Sequence, residues 1–195
     1  MVTPEEVVAY WVDEVGPKGW YNGSDALDAE VRKRFADSWQ EAKVGACGLW
    51  LTSAVDTLGY IILTDQLPRN MFRGSADAFA TDKSARAAAK IAIDRDWDMR
   101  LPEPERQFFY MPLMHSENLV DQDRAVRLMS TRMPNGREDH LRHACAHRSV
   151  IRKFGRFPYR NSALGRTTTK AEAEWMEQGG YAAALREVDA KTMAA

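Results

Sequence analysis

Residues 25–43 read DALDAEVRKRFADSWQEAK, with Leu27, Val31, Phe35 and Trp39 recurring at every fourth position. This spacing lays four apolar side chains along one stripe of an α-helix and leaves charged residues around the remainder, so the segment is committed to a helix that packs on one face. A strand would need every second residue on the buried side, and no run in the chain alternates convincingly in that way.

Helix starts are spelled out by the same logic. Thr3-Pro4-Glu5-Glu6 combines an N-cap, a proline at the first helical position and the glutamate of a capping box. Ser24-Asp25 precedes the long amphipathic helix, and Ser53 precedes a third that carries Val55, Leu58, Ile61 and Ile62. Ala85, Ala88, Ala89 and Ala92 give a fourth helix a small-residue face suited to close packing. Pro102-Glu103-Pro104-Glu105 is read as opening a fifth helix that bears Phe108 and Phe109. Two more are expected over 119–132 and 138–154, and Thr169 with Glu172 forms a second capping box for the last. The expected fold is all-α: a compact array of about eight antiparallel helices joined by short loops. The chain is read as one helical domain over 1–195, with 185–195 a frayed C-terminal tail.

Length and composition set the class. At 195 residues, 45% hydrophobic and with six Trp, the chain has enough apolar side chain for a substantial core and is not disordered. No window approaches the roughly 18 uninterrupted apolar residues of a membrane span, and the N-terminal residues lack a basic stretch ahead of an apolar one, so a cytoplasmic protein with no membrane partner is expected. Cys47 and Cys145 make neither a disulfide framework nor a zinc signature and are read as buried thiols. The total charge of −1 hides an asymmetry: 137–170 hold nine Lys or Arg against two acids, a net of +7 that leaves −8 elsewhere. A chain so balanced overall is a poor match for broad nucleic-acid backbone binding, and local anion binding or internal ion pairing fits the basic segment better.

Two loops carry the chemistry-bearing residues. DQLPRNMFRG (65–74) places Arg69, Asn70 and Arg73 after one apolar helix; GRFPYRNSALGR (155–166) places Arg156, Arg160, Asn161 and Arg166 after another. Guanidinium groups present paired donors to carboxylates and phosphates, so converging loops would make a cationic pocket for an anion. The same residues also suit helix ends: Gly155 after Phe154 is a natural C-terminal cap, arginines there meet free carbonyls, and Asp65, Asp82 and Glu117 are available as ion-pair partners. In HLRHACAHRSVIRKF (140–154), His140, His143 and His147 fall on one side of a helix with Ile151 and Phe154. His143 and His147 are spaced as in helical zinc sites, but no clear third ligand accompanies them, and no metal site is assigned. His115 and Glu117 of MHSE (114–117) offer a histidine near a carboxylate, a pattern equally suited to proton transfer and to tying off a helix end.

YIILTDQLPRNMFRGSADAFATD (60–82), ERQFFYMPLMHSENLVDQ (105–122) and HRSVIRKFGRFPYRNSALGRTTTKAE (147–172) resemble the signature blocks of the bacterial domain-of-unknown-function family DUF924. The resemblance runs from VGPKGWY (15–21) to the last helix. It implies a helical fold similar to tetratricopeptide-repeat proteins and no established activity or cofactor. His147 lies inside the third block, which makes it the preferred candidate for a general acid or base. Tyr159 departs from the pattern, since the family usually has His after the proline there.

No glycine-rich nucleotide loop and no G-x-S-x-G is present. Three readings stand. The first is a binding protein or enzyme whose anionic small molecule is held by Arg69, Asn70, Arg73, Arg156, Arg160, Asn161 and Arg166, with His147, His115 and Glu117 for proton transfer. The second is a helical scaffold that binds a peptide or protein partner. The third, disfavoured, is RNA binding through 137–170.

Overall fold

The computed structural model describes residues 2–193, with side chains through residue 190. Among the described residues every regular element is helical and no strand occurs. No described helix is long and apolar enough to cross a membrane. The chain divides into two compact units, Met1–Pro112 and Leu113–Ala195.

In the first unit, α1 (Pro4–Val8) begins with the expected reciprocal cap: Thr3 and Glu6 each accept the other's backbone N–H. It widens into a π-helical stretch, Ala9–Val15, and after Gly16 continues as α2 (Gly16–Trp20). The amphipathic α3 (Asp25–Lys43), capped by Ser24, buries Val31, Phe35 and Trp39. Next come α4 (Ala54–Ile61), capped by Ser53, a second π-helical stretch Ile62–Gln66, and α5 (Leu67–Met71). Gly59 of α4 lies where α1 crosses, and a Cβ there would stand 2.6 Å from the Pro4 carbonyl oxygen. Only a residue without a side chain permits that approach. The alanine face of α6 (Asp82–Asp94) is buried throughout, at Ala85, Ala88, Ala89 and Ala92.

The fifth expected helix is a correction. Glu105–Phe109 forms a 3₁₀ turn, followed by the short α7 (Met111–Met114). Pro102, Pro104 and Pro112 supply no backbone N–H, and each restrains the residue before it, so a continuous ladder of bonds to the fourth residue back is not available.

In the second unit, α8 (Leu119–Arg132), capped by Asn118, leads to α9 (Arg137–Phe154). Gly155 ends α9 in the left-handed region at φ 69° and returns its N–H to Ile151 O, which is the cap the sequence spelled. A 3₁₀ turn over Pro158–Arg160 and a loop bring the chain to α10 (Lys170–Glu177), whose Thr169 and Glu172 make the second reciprocal cap. Gly179 and Gly180, both at positive φ, break the helical run before α11 (Gly180–Met193). The core of this unit joins Ala146, Val150, Ile151, Phe157, Trp175 and Ala184, with Tyr181, Leu185 and Val188 packed against it. α11 runs through Met193; the last two residues of the segment read as a frayed tail lie outside the described residues.

Candidate functional site

The arginines of the first loop are tied to carboxylates of their own unit. Arg69 donates to both oxygens of Asp82, at 3.0 and 3.1 Å, and approaches Asp65 at 3.4 Å. Arg73 forks onto Asp28 at 2.8 and 3.0 Å, and Asn70 donates to the same carboxylate at 2.8 Å. The Arg73 hydrogen bond, opposed by burial and aided by Asn70, holds Asp28 below the usual carboxylate range.

In the second loop Arg156 and Arg166 are tied in the same manner. Arg156 forks onto Glu172 at 2.6 and 2.8 Å and also reaches Thr167 O. That hydrogen bond first, and the Thr169 N–H second, lower the Glu172 carboxyl to about 2. Arg166 forks onto Glu117 at 2.7 and 3.0 Å, reaches Phe157 O, and donates to Asn161 Oδ1 at 3.0 Å. Asn161 in turn donates to Glu172 and Thr168. Burial alone would raise Glu117, but hydrogen bonds from Arg166 and the Phe157 N–H outweigh it and keep this carboxylate ionised. Glu117 thus braces the loop.

Arg160 packs against an aromatic ring. Its side chain is buried, and its guanidinium lies over the Phe157 ring, 4.5 Å from the centroid. The other edge of this environment is built from α9 and α11. His147 stands edge-on to Phe157 with ring centroids 5.5 Å apart, His115 stands edge-on to His147 at 6.3 Å, and Tyr181 lies 4.8 Å from His147. Tyr159 stacks on Phe157 at 5.3 Å and meets Tyr181 at 6.5 Å.

A hydrogen-bonded chain runs through the cluster. His147 Nδ1 lies 2.9 Å from the carbonyl oxygen of His143 and 3.1 Å from the Tyr181 hydroxyl. The same hydroxyl is 2.8 Å from His143 Nδ1, and His143 Nε2 points to Asp139 at 3.7 Å. Burial lowers His147 to about 3, and the neighbouring His115 and Arg160 act in the same direction. Burial likewise lowers His143 and raises the Tyr181 phenol.

Of the residues singled out in the sequence, His115, His147 and Arg160 come together in the second unit, joined by His143. His140 instead lies over Gly136 at the start of α9. Phe157 and Tyr181 were not anticipated, because Tyr181 meets His147 across 34 positions of sequence and no local pattern records such a contact. Among the described residues, no three His, Cys, Asp or Glu side chains gather in a way that would hold a metal ion.

Comparison with known proteins agrees with the helical fold. A family model described as "Bacterial protein of unknown function (DUF924)" matches residues 7–180. The solved structure of ATU0120, a protein of unknown function from Agrobacterium tumefaciens, is similar with a TM-score of 0.84 at 38% identity, over 90% of this chain and 97% of that one. No curated protein matches.

Proposed function

The chain belongs to DUF924, a bacterial family of unknown function, so membership brings no activity with it, and we propose from the site itself that the second unit binds a small anionic molecule at the cluster of Arg160, His115 and His147. The observation that carries this reading is the buried guanidinium of Arg160, packed on the same Phe157 ring as a histidine that is neutral at physiological pH. A guanidinium presents several donors in one planar fork, a shape suited to a carboxylate or phosphate, and the uncharged polar rings beside it add no competing charge. The remaining arginines of the loop serve as its frame: Arg156 and Arg166 hold it rigid through Glu172 and Glu117.

The basic segment gives the nucleic-acid reading little support. Arg142 pairs with Asp189, Arg148 and Arg152 with Asp123, Arg156 with Glu172 and Arg166 with Glu117, so much of its positive charge is answered within the unit.

Thermal denaturation with acetate and with inorganic phosphate tests the proposal. Each anion is expected to raise the melting temperature of the native chain in a concentration-dependent way, and not that of a folded Arg160→Ala variant. An absence of any rise, or an equal rise in the variant, overturns it.

A further inference from the structure

We infer that Gln122 is a positioning residue of this site, the buried side chain that fixes where His115 and Glu117 stand. The part given to His115 rests on the anion-binding reading above; the geometry that places it does not. Gln122 lies near the start of α8 and is fully buried. Its side-chain amide donates to Met114 O at 2.6 Å and to Ser116 O at 2.7 Å, with Leu113 O farther away at 3.4 Å. The two shorter bonds go to the residues on either side of His115, so one amide grips the backbone before and after it. Met114 closes α7, and the last carbonyls of a helix have no partner within it, so a donor from elsewhere is called for.

The two ends of the amide are not interchangeable. Turned round, it would set its oxygen against carbonyl oxygens, which have only lone pairs to offer. The nitrogen therefore faces the turn, even though the oxygen is then buried with no donor among the described residues. An unmatched buried acceptor is unfavourable, and an apolar side chain of similar size would not carry that cost. The two carbonyls it holds account for an amide at this position. The rest of the turn is fastened from the same helix: Ser116 donates its hydroxyl proton to Asp121 at 2.7 Å and accepts the Asn118 N–H at 3.2 Å. Two side chains reach from this turn to the site and its loop. The His115 ring stands against His147, and Glu117 accepts the Phe157 N–H at 2.8 Å together with the Arg166 fork. Releasing the Gln122 clamp would displace both.

The test is Gln122→Met, a side chain of matching length with no N–H, compared with Leu128→Ala, which removes buried packing from the same helix. NMR in the absence of any ligand follows the His115 ring resonances and the hydrogen exchange of the Phe157 amide. In Gln122→Met the ring resonances are expected to shift and the amide to exchange about tenfold or more faster, the scale of one lost hydrogen bond. Leu128→Ala, though less stable than the native chain, should change neither. Inorganic phosphate should bind the folded Gln122→Met chain about tenfold more weakly than the native chain. Unchanged His115 and Phe157 signals, equal changes in Leu128→Ala, or undiminished phosphate binding overturns the inference. Should Gln122→Met not fold, the native chain decides: both side-chain amide protons of Gln122 must exchange slowly, and rapid exchange overturns the clamp. Failure of phosphate to bind the native chain overturns the anion-binding reading, and the ligand-free signals still judge the clamp.

Discussion

The Nδ1 atom of His147 lies 2.9 Å from the carbonyl oxygen of His143, one turn earlier on the same helix, and this contact assigns the proton of the ring. Enclosure by aromatic neighbours lowers its pKa from the ordinary 6.5 to about 3. The ring carbon resonances of His147 should therefore show no titration step near neutrality and move only as the pH nears 3. The unfolded chain takes up this proton near 6.5 and the folded chain only near 3, so stability falls as pH drops through that interval. In a pH series of melting temperatures, His147→Phe should remove that part of the acid sensitivity.

Glu172 produces a second, separable acid dependence. Its carboxyl is depressed from 4.5 to about 2, chiefly by Arg156 and then by the Thr169 N–H. The stability it contributes is complete above about 4.5 and is lost as pH falls toward 2. Glu172→Gln should lower the melting temperature at pH 7 and flatten its dependence on pH in that lower window, without altering the window assigned to His147.

Arg166 and Glu117 form a paired fork, with both side chains about three-quarters shielded from solvent. A double-mutant cycle with Arg166→Ala and Glu117→Gln, read by urea denaturation, should give a coupling of about 1–3 kcal/mol, the range for directly bonded partners in one network. Additive losses would mean that the fork does not brace the loop.

Gly59→Ala tests the close approach of α1 to α4. The new methyl would be placed 2.6 Å from Pro4 O, against backbone and not against a movable side chain. A loss of about 1–3 kcal/mol in denaturant unfolding is expected, even though alanine is the better helix former.

Much of this fold is legible from local chemistry. Both capping boxes, the buried stripe of α3, the alanine face of α6 and the glycine stop at 155 each depend on residues a few positions apart, and each is present. Asp65, Asp82 and Glu117, read as available partners for the loop arginines without a pairing, are engaged with Arg69 in the first two cases and with Arg166 in the third. The misreading at 102–109 arose because Pro-Glu-Pro-Glu has the composition of a helix start, while Pro104 and the later Pro112 deny the helix a continuous ladder. The site was legible only in outline. His147 and Arg160 could be singled out one by one, but their common neighbour Phe157 and the Tyr181 link are contacts between separate elements, fixed by packing.

The most direct measurement follows the ring resonances of His147 by NMR at pH 7 while inorganic phosphate is added to the native chain and to a folded Arg160→Ala variant. The account predicts a saturable shift of His147 in the native chain that is lost in the variant. A native His147 that does not respond, or one that responds equally without Arg160, would contradict it.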